Sequence, residues 1–221
     1  MIINVLAKMG AVSRRCYLDL TARWIVNSLG MIEMQTHVSV APAALYLPRF
    51  GIRMSMKKDF DTIEYFGFGP NESYIDKHYS SYIGRFKCNV NAMLANNARP
   101  QECGNHYQTR WGAVYNAQKQ GFLFQNAAGF DFSALPWSQE ELEAAMHMDD
   151  LPKPDKTVIC TDYRQSGVGS SACGPELPEK YRLHEKEFTF QMKIRPLCPD
   201  TDLLQTALCD FKAVHSAPAL F

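Results

Sequence analysis

Alternation of apolar and polar side chains leaves a chain little choice of backbone, because a period of two sorts residues onto the opposite faces of a half-buried β-strand and onto no single face of a helix. In the first such run Cys16, Leu18, Leu20, Ala22, Trp24 and Val26 are apolar, interleaved with Arg15, Asp19, Thr21, Arg23 and Asn27. After Ser28-Leu29-Gly30 the pattern resumes, with Ile32, Met34, Val38 and Val40 on one face and Glu33, Gln35, His37 and Ser39 on the other. Two alternating runs joined by a short glycine-containing connection predict an antiparallel hairpin. Further runs lie at Ile52 to Met56 and Ile63 to Phe68. Near the end, Phe188, Phe190, Met192 and Ile194 alternate with Thr189, Gln191, Lys193 and Arg195. Gly121 to Gln125 and Gly129 to Leu135 add two short aromatic strands bounded by turn residues. Many short strands with polar outer faces predict an all-β, antiparallel β-sandwich.

One short helix interrupts this pattern. Ser138 is followed three residues later by Glu141, a capping box in which each side chain satisfies a free amide of the first turn. The helix is expected from Gln139 to His147, and Pro152 and Pro154 bar its continuation. A second helical stripe, Leu204, Leu208 and Phe211, falls in 202–214.

The chain has 221 residues, enough for one large core, and the expectation is a single domain over 1–221. Lysine plus arginine equals aspartate plus glutamate at 23 each. No net field therefore draws the protein to nucleic acid or an acidic membrane face, and a neutral partner such as a sugar fits better. Apolar stretches fall short of the roughly 18 residues of a membrane span, and the first 20 residues hold no clean secretion signal. The seven cysteines are odd in number and form no C-x-x-C pair, which reads as reduced thiols in a cytoplasmic protein.

Glu72, Glu102 and Glu176 sit in turn-like contexts, with glycine or proline within two residues, where a carboxylate could act as acid or nucleophile. A retaining glycosidase needs two such groups about 5 to 5.5 Å apart. Nothing in the spacing pairs any two of them, and capping of amides or pairing with arginine is the commoner use of such residues. His106, next to Asn105, reads as a sugar contact or proton carrier, or as a histidine tied within a loop. The histidines form no H-x-H or H-E-x-x-H arrangement, so no metal site is assigned. Gly167-Val168-Gly169-Ser170-Ser171 has the outline of a serine nucleophile elbow, yet Gly174-Pro175 follows where a helix is required. Tyr65, Phe66, Phe68, Tyr74, Tyr79, Tyr82, Trp111, Trp137 and Tyr163 could pack on sugar C–H faces, although core packing is their default.

Larger blocks carry a family signature. Leu47-Pro48-Arg49-Phe50-Gly51-Ile52-Arg53 and the run Tyr65 to Asp76 are followed, in order, by Arg99-Pro100-Gln101-Glu102, Asn105-His106, Arg110-Trp111 and Phe132 to Ser138. Asp162 to Ser170 and Cys173-Gly174-Pro175 complete the series. This pattern, over about 47–195, resembles the C-terminal or small-chain domain of glycoside hydrolase family 2 β-galactosidases. The resemblance implies a supersandwich of the galactose mutarotase kind. It places the acid and nucleophile glutamates on a separate (β/α)₈ barrel, which takes about 250 residues by itself, so no catalytic residue is assigned here. It also implies magnesium and sodium held by other domains, and no cofactor in this chain.

The implied partners are a β-galactoside and the catalytic barrel domain or large subunit, with a homo-oligomer possible through the parent enzyme. In the best-known relative the loop matching Gly169 to Pro175 delivers a tryptophan to the sugar or its leaving group, which some other family members lack. Cys173 stands there in this chain, so stacking is lost and the aglycone subsite widens; the alternative is a plain turn thiol. Gly169, Ser170 and Cys173 are thus the candidate substrate contacts, with His106 behind them. Family members carry further strands upstream, and without them the sheet is expected to end in an open edge. The tail 196–221 matches nothing. A free-standing carbohydrate-binding or mutarotase-like sugar protein is the alternative reading, with His106 and a glutamate as its only acid–base candidates.

Overall fold

The expected hairpin is present as β2 (Leu18–Val26) and β3 (Ile32–Val40) in a computed structural model that describes residues 1–10, 17–95, 97–169 and 175–208. Leu18 faces Val40 and Val26 faces Ile32 in one continuous antiparallel register. The turn is built by Asn27, whose side chain accepts from the amides of Leu29 and Met31, and by Gly30 at φ +77°, a conformation that suits glycine.

Around it lie β1 (Ile2–Met9), β4 (Arg49–Lys57), β5 (Thr62–Gly69), β6 (Tyr82–Asn89), β7 (His106–Tyr115), β8 (Gly121–Leu135), β9 (Lys156–Gln165) and β10 (Glu187–Leu197). The hydrogen-bonded order is β1-β2-β3-β10-β8-β7-β5-β6, with β9 pairing to β8 and carrying β4. Every pair is antiparallel. Folding into two layers follows from β8. Its first part, Gly121 to Gln125, pairs with β10, and its last part, Asp131 to Leu135, pairs with β9. The two short strands expected at Gly121 and Gly129 are thus one bent strand, whose register with β7 shifts twice. Such a corner strand belongs to both sheets of a sandwich.

The layers close on aromatic rings. Tyr163 of β9 stacks on Phe188 of β10 with centroids 4.4 Å apart and planes 9° apart, and Phe50 of β4 meets Phe188 edge-on at 5.2 Å. Phe188, Phe190, Met192 and Ile194 are all buried, as the period-two pattern requires. Burial of each such side chain stabilises the fold by about 2 kcal/mol.

Helix α1 (Gln139–Ala144) begins with the expected capping box but stops three residues short of His147. The cause is Asp150, whose Oδ2 accepts from the amides of Met146 and His147 and removes them from any helical bond back to α1. Residues 203–208 are helical. The segment after Pro196 has a packing role: Leu197 and Ala207 are buried against Trp111, Ala113 and Leu123 on the outer face of β7 and β8. The expected strand start at Cys16, residues 209–214 of the second helix, and Ser170 and Cys173 lie outside the described residues. Cys88, Cys103, Cys160 and Cys198 are free thiols, and burial pushes Cys103 up to about 11. Among the described residues no helix is long and apolar enough to cross a membrane.

Candidate functional site

The loop that opens at Gly167 leaves the end of β9, where β4, β7, β8 and β9 converge on one buried polar cluster. A register shift between Phe50 and Gly51 creates this geometry, because it leaves Tyr163 on the core and turns Asp162 toward Arg49. Only glycine fits at position 51: a Cβ there would overlap both the main chain and the carboxylate of Asp162. Arg49 Nη2 donates to Asp162 Oδ2, and its Nη1 donates to Glu102 Oε2 at 3.0 Å. Gln165 Nε2 donates to Asp162 Oδ2 at 3.0 Å and to Asn105 Oδ1 at 3.2 Å. The Gln165 amide donates to Asp131 Oδ2 at 2.9 Å. Asn105 in turn donates to the Ser73 carbonyl at 2.9 Å.

Three carboxylates here share one guanidinium. Burial, and then the neighbouring Asp162, push Asp131 up to about 7. Burial raises Asp162 and Glu102 as well, against the lowering effect of Arg49. Asp131 and Asp162 face each other across β8 and β9, so their like charges oppose joint ionisation.

Above the cluster the loop root is tied on both sides. Ser166 Oγ donates to the Leu47 carbonyl at 2.7 Å and accepts from the Leu183 amide at 2.9 Å. The Gly167 amide donates to the Tyr181 carbonyl at 2.9 Å. Asp76, on the connection from β5 to β6, then accepts from Val168 N at 3.2 Å and from Gly169 N at 3.0 Å. A Cβ on Gly167 would sit 2.5 Å from the Asp76 carboxylate, which explains the glycine. Val168 and Gly169 are exposed, so the loop leaves this clamp at the solvent rim. Asp76 carries the grip and was missed as a site residue; its signal was the pair of glycines, which asks for a group packed against the main chain.

The other candidates separate from this rim. His106 is the first residue of β7 rather than a loop residue. Its side chain is 2 % exposed, Nδ1 donates to the Phe68 carbonyl at 2.9 Å, and its ring lies 4.1 Å from that of Tyr65. Burial pulls it down to about 4, which leaves it neutral at pH 7. Glu72 binds Lys77 Nζ and accepts from Gly104 N at 2.8 Å. Glu176 is paired with Arg182 at 3.2 Å on the surface. Tyr65, Tyr74 and Trp111 are core residues. Trp137 Nε1 donates to the Pro152 carbonyl at 2.7 Å. Phe68, His78, Tyr79 and Tyr107 form a chain of ring contacts at 5.0 to 5.9 Å. Among the described residues no group of three or more His, Cys, Asp or Glu is placed to hold a metal ion. A surface depression of about 510 Å³ lies on the outer face of β2, β3 and β10, beside Arg23, Glu33, Gln35 and Gln191, and takes in none of 166–169.

A family model described as β-galactosidase small chain matches residues 3–194, so the match extends upstream through β1 to β3. A β-galactosidase of Actinobacillus pleuropneumoniae is 37 % identical over 193 residues, which make up 86 % of this chain and 18 % of that protein. One from Staphylococcus xylosus is 35 % identical over 175 residues, 78 % of this chain and 18 % of its own length. The chain therefore spans about 18 % of the length of these curated relatives. Among solved structures, an Escherichia coli K12 protein assigned as an aldose 1-epimerase superposes with a TM-score of 0.46 at 9 % identity, covering 88 % of this chain and 65 % of that one.

Proposed function

The chain belongs to the β-galactosidase small chain family, and from that premise we propose that it is the non-catalytic β-sandwich of a retaining glycoside hydrolase family 2 enzyme. Its loop from Gly169 to Pro175 borders the pocket in which a terminal β-D-galactoside is hydrolysed. The acid and nucleophile carboxylates come from a (β/α)₈ barrel in another part of the enzyme, as do the groups that hold its ions.

The observation that carries this reading is the double hydrogen bond from Val168 and Gly169 to Asp76. Ordering a residue's backbone costs about 1 to 2 kcal/mol, and here that cost is met on folding, before any sugar binds. A loop launched from a fixed rim can hold Ser170 and Cys173 against a substrate with little further loss of entropy. Cys173 offers a small, weakly polar surface, which suits a wide leaving-group subsite.

The carboxylates of this chain support the same division of labour. Glu72 is engaged by Lys77 and Gly104, Glu102 and Asp162 by Arg49, and Asp131 by the Gln165 amide. Each is committed to holding structure. His106 is shielded from solvent and supports β5 through the Phe68 carbonyl.

Incubation of the purified chain with a nitrophenyl β-galactoside tests the assignment. No release of nitrophenol above buffer is the expected result. Turnover that follows the protein through purification and is lost in Glu102→Gln would overturn it.

A further inference from the structure

The depression on the outer face of β2, β3 and β10 lies where β8 changes partners. Pairing of β8 with β10 ends at Gln125, opposite Lys193, and pairing of β8 with β9 begins at Asp131. The chain between them leaves the first sheet and stands beside a hollow of about 510 Å³. The backbone carbonyl that a continuing ladder would use is already taken: Asn126 Nδ2 donates to the Gln191 carbonyl at 2.8 Å, and Asn126 Oδ1 accepts from Ala128 N at 2.9 Å. The hollow therefore offers side chains rather than a strand edge, and its volume is that of a small-molecule site.

Two rows of side chains line it, because residues directly opposite one another in a sheet share a face. Arg23, Gln35 and Gln191 stand opposite one another on three neighbouring strands, about 4.8 Å apart from strand to strand. All three are exposed. In the next row Glu33 lies 3.8 Å from Lys193, and Lys193 faces Gln125. Gln125 is only 3 % exposed although it lines the hollow. Its Nε2 donates to the Ala207 carbonyl at 3.1 Å, whereas its Oε1 has no hydrogen-bond partner. A buried acceptor left unpaired is costly, and a donor brought into the hollow relieves that cost.

We propose that this depression binds a neutral saccharide through its hydroxyl groups. The site is additional to the functional reading above and does not depend on it, since every residue it uses belongs to this chain. The pattern of donors and acceptors selects the class. Gln125 Oε1 and Glu33 ask for hydrogen-bond donors, Arg23 asks for acceptors, and the side-chain amides of Gln35 and Gln191 take either. A sugar hydroxyl donates and accepts at one oxygen. A carboxylate only accepts, and would leave Gln125 Oε1 without a partner. The ion pair of Lys193 with Glu33 offsets charge within the hollow, which also suits a neutral ligand. Ile25, Ala127 and Ala128 supply apolar surface beside these groups, where the C–H face of a pyranose ring can rest.

The test is an NMR titration of the purified chain, carrying methyl-labelled isoleucine, valine and alanine, with galactose, with lactose and, separately, with acetate. The expected result is saturable movement of the Ile25, Ala127 and Ala128 methyl signals by a sugar, with a dissociation constant on the order of millimolar, and none by acetate. Arg23→Ala and Gln191→Ala, both surface changes, each weaken sugar binding about fivefold, as the loss of one hydrogen bond requires. Gln125→Leu, which removes the unpaired acceptor, weakens it at least as much, and Thr21→Ala, one row further along β2, leaves it unchanged. If Gln125→Leu fails to fold, the two surface variants decide. The inference is overturned by the absence of a saturable shift with either sugar, by sugar affinity that the variants leave intact, or by acetate binding as tightly as the sugars. Shifts confined to the Val168 methyl signals overturn the depression as a site and leave the functional reading standing. Binding that follows Arg23 and Gln191 supports the depression whether or not the assembled enzyme hydrolyses a galactoside.

Discussion

At the residue scale the polar cluster beneath the loop makes a signed prediction. Asp131 is held near 7 by burial and by Asp162 beside it, whereas the same side chain in an unfolded chain titrates near 3.9. Between these values the folded state keeps a proton that the unfolded state releases. The contribution is therefore fully present below about pH 4 and is lost as pH rises through about 7. A displacement of about three pKa units corresponds to roughly 4 kcal/mol at most. Thermal melts should show the midpoint falling between pH 5 and pH 8. Asp131→Asn, which mimics the protonated form, should flatten that slope and be at least as stable as the wild type at pH 8. An unchanged slope would remove Asp131 as its source. Arg49 carries the opposite risk. Without it Glu102 and Asp162 face each other with no cation, so Arg49→Met should lose about 3 to 5 kcal/mol in urea unfolding. At the rim, Asp76→Asn offers one acceptor oxygen to two amides. In the assembled enzyme it should lower kcat/KM for a nitrophenyl galactoside about tenfold, with a change of less than about 1 kcal/mol in the unfolding free energy.

At the scale of elements, Ser138→Ala should lower stability by about 1 kcal/mol by removing the cap of α1, measurable in the same urea titration. That helix start was legible because both members of the capping box lie within four residues of each other. Strands β2, β3, β4 and β10 were legible in sequence for a related reason: each has one covered face, and its alternation survives; β5 was legible as an apolar run although adjacent Ile63, Glu64 and Tyr65 are all buried. Strands β7 and β9 hid their period. Ala113 and Val114 are both buried, as are Ile159 and Cys160, because these strands are covered on both sides and read as unbroken runs. Strand β1 failed for the opposite reason, with apolar residues on two faces that nothing among the described residues covers. The site was legible only in part. Gly167 and Gly169 announced a tight backbone, but the partner, Asp76, sits more than 90 residues away and no local pattern points to it. Asp131 lies between Phe130 and Phe132 and reads as an outward polar residue, yet the bend of β8 buries all three.

At the scale of the molecule, one antiparallel sheet folds back on itself through β8. The fold thereby brings Arg49, Asn105, Asp131 and Asp162 to a single end, where they hold a glycine loop at the surface. On the proposed reading this scaffold contributes position, and the chemistry belongs to whatever stands opposite the loop. The most direct test is a structure of the assembled β-galactosidase with a galactoside bound. The account predicts the main chain of 169–175 in contact with the sugar or its leaving group, Asp76 still holding Val168 and Gly169, and both reacting carboxylates supplied from outside this chain. A galactoside seated away from that loop, or one whose glycosidic oxygen is met by Glu72, Glu102 or Asp131, would contradict it.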